Sequence, residues 1–299
     1  MYCVLMKQES IGFDNRWIRG EKKVNQRERK KRIAKTESAV KTVEKAETVK
    51  VEQTKKAVVK AAKAEKVYNT RFEKKLDELR WLYMELYGNS SMFAELCDQM
   101  HRFYEERTDV LKKLDSKREA DPDWYKKNDM LGMMFYIDNF AGNMKGVESK
   151  IDYLEKNNVN YIHLMPFLDT PKGRSDGGYA VADFRKVQEN LGTMDDLEEL
   201  TGACHEKGIS VCMDFVMNHT SEDHEWAKKA RQGDGEYMSR YFFYDNSYIP
   251  SLYEKTVPQV FPTTAPGNFT WLPEIGHYVM TTFYPYQWDL NYRNPRVFN

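Results

Sequence analysis

Between residues 71 and 115, apolar side chains recur at spacings of three and four. Phe72, Leu76, Leu79, Leu82, Tyr83 and Leu86 form one series, Phe93, Leu96, Met100, Phe103 and Tyr104 a second, and Val110, Leu111 and Leu114 a third. That period predicts helices. Gly88-Asn-Ser-Ser91 separates the first two, with Ser91 as the expected N-cap, and Asp121-Pro-Asp123 predicts a turn after the third. From Met130 the pattern changes. Leu131–Ile137 reads as a strand, 142–156 as a helix, Tyr161–Met165 as a strand stopped by Pro166, and 194–207 as a helix. Gly208-Ile-Ser-Val-Cys-Met-Asp-Phe-Val-Met-Asn-His-Thr220 then begins as a strand and ends by delivering Asp214, Asn218 and His219. Strands alternating with helices predict right-handed crossovers and a parallel sheet. Continuous apolar runs predict strands covered on both faces.

Residues 221–285 lose this alternation and are rich in Tyr, Phe, Trp, Asp, Gly and Pro. An insertion of that length at a strand end is expected to carry function. At the other end of the chain, residues 21–66 contain no Gly, Pro or aromatic residue. They bury too little for a core and predict a solvated or partly disordered arm. Their basic cluster, Arg27-Glu-Arg-Lys-Lys-Arg32, has no interleaved aromatic for base stacking or bilayer anchoring. The expected organisation is therefore an arm over 1–70, a small all-α domain over 71–128, an α/β segment over 129–220, an inserted loop-rich domain over 221–285, and a return to the α/β segment over 286–299.

The formal net charge of zero argues against a uniformly basic nucleic-acid binder. No apolar run approaches the roughly 18 residues of a membrane span, and the N-terminus lacks the order of a signal peptide. The four cysteines, Cys3, Cys97, Cys204 and Cys212, form no C-x-x-C pair and read as free thiols in a reducing compartment. The expectations are a cytoplasmic protein with no nucleic-acid and no membrane partner.

Four groups could carry chemistry. In Asp176-Gly-Gly-Tyr179 the glycines allow close approach, the carboxylate suits hydroxyls and the ring suits a sugar face; an ordinary Asp-Gly turn has the same sequence. Asp214, Asn218 and His219 are polar groups at a strand end that need partners, from substrate or from neighbouring loops. His219, Glu222, Asp223, His224 and Glu225 invite a zinc site, but two histidines five apart fall on different sides of a helix, so no metal is expected. Trp288-Asp-Leu-Asn-Tyr292, with Tyr284 and Tyr286, offers rings for sugar faces or for a core.

Taken together, Tyr161-Ile-His-Leu-Met-Pro166, Ser175-Asp-Gly-Gly-Tyr-Ala180, Asp214-Phe-Val-Met-Asn-His-Thr-Ser-Glu-Asp-His-Glu-Trp226 and Gln287-Trp-Asp-Leu-Asn-Tyr292 resemble the alpha-amylase family of glycoside hydrolases and transglycosidases. Within it they are most similar to the amylosucrase branch. The resemblance runs from about Arg71 to Asn299. It implies the N-terminal part of a (β/α)8 TIM barrel, with three strands and an inserted loop domain, preceded by a small all-α domain. It implies that Asp176 binds sugar hydroxyls, Tyr179 stacks under the ring, and His219 hydrogen-bonds near the cleavage point. Asp214 and Asn218 would support the site, and Tyr286 would be an aromatic wall where the family usually shows Phe. No cofactor and no metal are implied.

The implied partners are sucrose or a related α-glucoside donor and an α-glucan acceptor, in retaining glucosyl transfer. The alternatives are a hydrolase or phosphorylase of the same family, or a non-catalytic carbohydrate-binding fragment. Retaining chemistry needs two carboxylates about 5 Å apart. In the family these end the fourth and fifth strands, so both are expected beyond Asn299, and this chain alone is expected to be inactive.

Overall fold

The computed structural model describes residues 50, 52–53, 56 and 66–299. The chain divides into two compact units, Met1–Lys74 and Lys75–Asn299. The arm expected over 1–70 lies almost wholly outside the described residues. In the first unit, residues 66–74 are helical, and Tyr68 stacks on Phe72 one turn away, with ring centroids 5.4 Å apart.

The second unit begins with helices α1 (75–87), α2 (Ser90–Glu106) and α3 (Asp109–Ala120). Gly88 ends α1 at φ +58°, a left-handed conformation in which its N–H still reaches the Met84 carbonyl. Asn89, not Ser91, caps α2: its side chain accepts from Met92 N at 3.1 Å, and Ser91 donates to the same Asn89 oxygen. Asn89 has the extended backbone that a cap needs, whereas Ser91 is already helical. Tyr83, Met92 and Phe93 form a small core with Leu76, Leu79 and Leu96. Only part of the apolar periodicity is buried there, since Leu86 is 73% and Phe103 61% exposed.

The α/β segment follows: β1 (Gly132–Phe135), the short helices α4 (Ile137–Ala141), α5 (Met144–Glu148) and α6 (Ile151–Lys156), β2 (Tyr161–Leu164), the strands β3 (Leu168–Asp169) and β4 (Asp183–Val187), α7 (Met194–Glu206) and β5 (Ser210–Met213). The helix expected over 142–156 is two helices, and the first strand stops at Phe135 because Ile137 begins α4. Thr193 and Asp196 close a capping box at the start of α7. β1, β2 and β5 form a parallel sheet in that order, with Met133 beside Ile162 beside Val211. The expected parallel order is thus observed.

One face of this sheet packs against the helices. Phe135, Ile162 and Leu164 join Val147, Leu154, Leu200 and Cys204 in the main core. The other face carries Gly132, Met134, Tyr161, His163, Ser210 and Cys212, and Met134 is 64% exposed. Among the described residues, then, only one face is closed, in contrast to the two-sided covering that the apolar runs suggest. Cys204 is buried, which pushes its thiol up to about 11; Cys97 and Cys212 are half-buried and unpaired. No described helix is long and apolar enough to cross a membrane.

The stretch 208–220 is not one strand. β5 ends at Met213, and the last ladder bond runs from Asp214 N to the Leu164 carbonyl. Beyond it Pro166 has stopped β2, so 214–218 has no neighbour to pair with. His219 starts a separate strand, β6 (His219–Ser221), which pairs antiparallel with β10 (Gln287–Asp289). Between them the insertion is more regular than expected: helices α8 (Glu225–Arg231), α9 (Gly235–Met238) and α10 (Tyr248–Tyr253), and a three-stranded antiparallel sheet, β7 (Phe243–Tyr244), β9 (His277–Met280), β8 (Phe269–Leu272). It has its own core around Ala227, Tyr241, Val279 and Trp288. α11 (Pro295–Phe298) closes the described chain.

These assignments predict a contrast between two leucines. Leu154→Ala empties a fully buried site and should cost about 2–5 kcal/mol, whereas Leu86→Ala should change stability by less than about 0.5 kcal/mol. Urea unfolding of the two variants measures both.

Candidate functional site

Asp176, Gly177 and Gly178 all have positive φ, at 48°, 66° and 99°. A Cβ on Gly178 would lie 2.8 Å from both Cβ and O of Pro166. Only glycine fits there, so the proline that stops β2 also fixes the turn that aims Asp176 and Tyr179. The irregular segment after β5 brings Asp214 and Asn218 to the same place, and β6 brings His219.

These five residues line one cavity of about 460 Å³, with Phe215, Phe261 and Phe283 among its apolar walls. Tyr286 does not line it. Its ring stacks on Tyr284, with centroids 5.2 Å apart and planes 2° apart, and Tyr284 in turn stacks on Phe261. The aromatic wall beside His219 is Phe283, at 5.0 Å. The structure therefore gathers Asp176, Tyr179, Asp214, Asn218 and His219, and sets Tyr286 two rings behind the Phe261 wall.

Two hydrogen-bonded chains hold the group. In the first, Asp214 accepts from Tyr179 Oη on one carboxylate oxygen and contacts His163 Nε2 on the other, each at 2.9 Å. Burial, and then the bond to Asp214, push the Tyr179 phenol up to about 12, so it remains a donor. In the second, Asn218 donates to Asp289 at 2.9 Å and lies 3.2 Å from His219 Nδ1. Because this nitrogen of Asn218 carries only hydrogens, His219 Nδ1 is the acceptor, and Nε2 carries the proton that meets the Tyr179 carbonyl at 3.2 Å. The Gln287 amide, 3.1 Å from the same Nε2, donates to Asp176 Oδ2 at 3.0 Å. Its oxygen is committed to Tyr284 N, which fixes the amide's orientation.

His219 is buried, and burial lowers its pKa against the opposing pull of Asp289 and Asp176. It is a neutral hydrogen-bonding group. No Lys or Arg lines the cavity, and its charged groups are two carboxylates. Such a site repels anions and suits a neutral ligand rich in hydroxyl donors, with Phe and Tyr rings for its apolar faces. Among the described residues no cluster of three or more His, Cys, Asp or Glu is arranged to hold a metal ion. The sequence run 219–225 is dispersed instead. Glu222 pairs with Arg174 and Arg231, and His224 accepts from Trp226 N.

His163, Gln287, Phe261 and Phe283 have no site role read from the sequence, and Asp289 enters there only within the aromatic group 288–292. Gln287 and Asp289 carry a signal: they alternate with Trp288, so both face the cavity side of β10 while Trp288 enters the insertion's core. His163 interrupts an apolar strand. The two phenylalanines carry none.

The site is thus a pocket lined by carboxylates, amide, imidazole and aromatic rings at the C-terminal end of a parallel sheet, where α/β barrels place their chemistry. The model of the alpha-amylase catalytic domain matches residues 66–299. This chain belongs to the alpha-amylase family. It is 35% identical over 183 residues to trehalose synthase of Pimelobacter sp. (strain R48), covering 59% of this chain and 31% of that protein. It is 33% identical over 182 residues to the human amino acid transporter heavy chain SLC3A1, covering 58% and 26%. Among solved structures, the trehalulose synthase MutB from Pseudomonas mesoacidophila MX-45 is similar at 28% identity and a TM-score of 0.49, covering 58% of this chain and 31% of that one. The chain spans about a third of the length of the curated relatives it matches.

Burial lowers the pKa of His224 from the usual 6.5 to about 4. Folding therefore excludes a proton that the unfolded chain takes up. Stability should fall as pH drops from about 6.5 to about 4, by up to about 3 kcal/mol from this residue. Thermal unfolding across that window should show the loss, and His224→Gln should flatten it relative to the parent. Gly178→Ala should cost more than about 2 kcal/mol, since it combines left-handed strain with overlap on Pro166.

Proposed function

We propose that the cavity grips the glucosyl unit of an α-glucoside, and that the chain is part of an amylosucrase-like retaining transglucosidase. The observation that carries this reading is the convergence of Asp176, Tyr179 and His219 on one cation-free cavity. In this reading Asp176 accepts two sugar hydroxyls, the Tyr179 ring supports the apolar face, and the neutral His219 hydrogen-bonds the ring near the scissile bond. Asp214 acts through Tyr179, and Asn218 through His219, as positioning groups. The likeness to trehalose synthase supports an α-linked disaccharide as the donor. Sucrose as that donor and an α-glucan as acceptor are the finer part of the proposal.

Retaining cleavage needs a carboxylate nucleophile and a carboxylic acid/base about 5 Å apart. Asp214 is committed to Tyr179 and His163, and Asp176 is held by Gln287. Both serve binding in this reading, so neither belongs to the reacting pair. The likeness to SLC3A1, a transporter heavy chain by name, favours a second reading in which the pocket binds without turnover.

Titration of the chain with methyl α-glucoside and sucrose, followed by saturation-transfer NMR, should show saturable binding. Asp176→Ala should weaken it by about 10- to 100-fold, as expected for loss of a charged hydrogen-bond acceptor. No binding of either glucoside, or unchanged affinity in that variant, would overturn the assignment. Sucrose incubated with the chain should release neither glucose nor fructose, and turnover would place the reacting carboxylates within residues 1–299. Turnover by any form of the protein that adds a retaining carboxylate pair to this pocket would decide against the second reading.

A further inference from the structure

A second cavity, of about 310 Å³, lies at the opposite end of the parallel sheet, where α3 meets the starts of β2 and β5. Its chemistry is the reverse of the first. Arg118, Lys117 and Lys127 line it, together with His205 and Ser210. Arg118 lies flat over Trp124, 4.0 Å from the ring centroid, and donates from Nη2 to Ser210 Oγ at 2.9 Å. Neither Arg118 nor Lys117 makes an ion pair among the described residues. By contrast, Arg107, just ahead of α3, is bidentate to Asp115 at 2.6 and 2.7 Å. Two carboxylates border the cavity, Asp121 and Asp129. Lys127 pairs with Asp121 and is also drawn by Asp129, so one lysine serves both. Three cations thus face two carboxylates, a net charge of +1, and the Arg118 guanidinium and the Lys117 ammonium are the two cations outside any ion pair among the described residues. Leu114, Met130 and Ile209 supply apolar wall.

We propose that this cavity binds the phosphate group of a small phosphomonoester, or free phosphate, with Arg118 and Lys117 as its charged donors and Ser210 as a hydroxyl donor. A guanidinium held on an aromatic face keeps a fixed fork of N–H donors, and only one of its five is used here. A tetrahedral dianion can meet guanidinium, ammonium and hydroxyl at once, whereas a planar carboxylate fills the guanidinium fork alone. The volume exceeds that of the anion and leaves room for an organic body against the apolar wall. Ser210 begins β5 and Arg118 belongs to α3, so the ligand would bridge the helical domain and the sheet. His205 reports on the site. Burial, and then the charge of Arg118 and Arg107, lower its pKa. An anion beside Arg118 would offset that charge and raise it.

The test is calorimetry of the 299-residue chain with inorganic phosphate, glucose 6-phosphate, glucose and chloride at matched ionic strength, with His205 followed by NMR. Saturable phosphate binding with a Kd of about 1 mM or tighter is expected. Arg118→Gln and Lys117→Gln should each weaken it at least about fivefold, and phosphate should raise the pH at which His205 titrates. Lys117 is exposed and makes no ion pair, so its variant keeps the test valid if Arg118→Gln unfolds. A tighter glucose 6-phosphate identifies an ester as the ligand, and equal affinities identify phosphate itself; both support the site. No saturation, an equal response to chloride, unchanged affinity in the folded variants, or an unmoved His205 would each overturn it.

Discussion

The site depends on the contact between Pro166 and Gly178. Proline has no N–H to continue the ladder, so β2 stops and the segment after Asp214 has no strand to join. The same ring sits where any Cβ on Gly178 would fall, so the loop must turn through three consecutive positive-φ residues at that point. One proline thus ends a strand, shapes a loop and frees a second segment. Asp176, Tyr179 and Asp214 converge because of it. The hydrogen bonds among them refine a geometry that backbone sterics have already imposed.

The two cavities divide the molecule electrostatically. At the C-terminal end of the sheet the charged lining is carboxylate and the imidazole is kept neutral by burial. At the N-terminal end three cations, Lys117, Arg118 and Lys127, outnumber two carboxylates by one. Both use the same sheet as a rigid floor. The β2 and β5 strands present Tyr161, His163, Ser210 and Cys212 on one side in fixed register. His163 reaches the Asp214 end of that row, and Ser210 reaches Arg118 at the other.

Much of this was legible before the structure. The parallel order, the helical segment and the grouping of Asp176, Tyr179, Asp214, Asn218 and His219 all follow from period, spacing and resemblance. What could not be read is long-range pairing. Gln287 holds Asp176 from 111 positions away; its alternation with Trp288 marks a face of β10 but not that partner. Residues 208–220 read as one strand because Phe215, Val216 and Met217 are as strand-prone as Val211; the break comes from the absent neighbour, not from the residues. Ser91 and Asn89 are both good caps, and backbone conformation alone decides between them. The antiparallel sheet of the insertion was invisible because its strands are two to four residues long, too short to show alternation. Periodicity assigned Leu86 and Met134 to apolar faces, but it says nothing of what covers a face. Tyr286 was the near miss: an aromatic wall exists, and Phe283, three positions earlier, stands nearest His219.

The pairing of β6 with β10 has a consequence for how such a chain can diversify. The insertion departs at Ser221 and returns at Gln287, and those two residues are direct partners across the ladder. Its gate is a two-strand clasp, and its core takes in Trp288 from the clasp strand and Leu290 from beyond it. Segments between the clasp ends that contact neither Trp288 nor the Tyr284–Gln287 turn can be lengthened, shortened or exchanged without breaking the bond from Gln287 to Asp176, because closing a longer loop costs little once its ends are pinned. Lineages could then trade the outer rim of the pocket as a cassette while inheriting the floor that carries Asp176 and His219 intact.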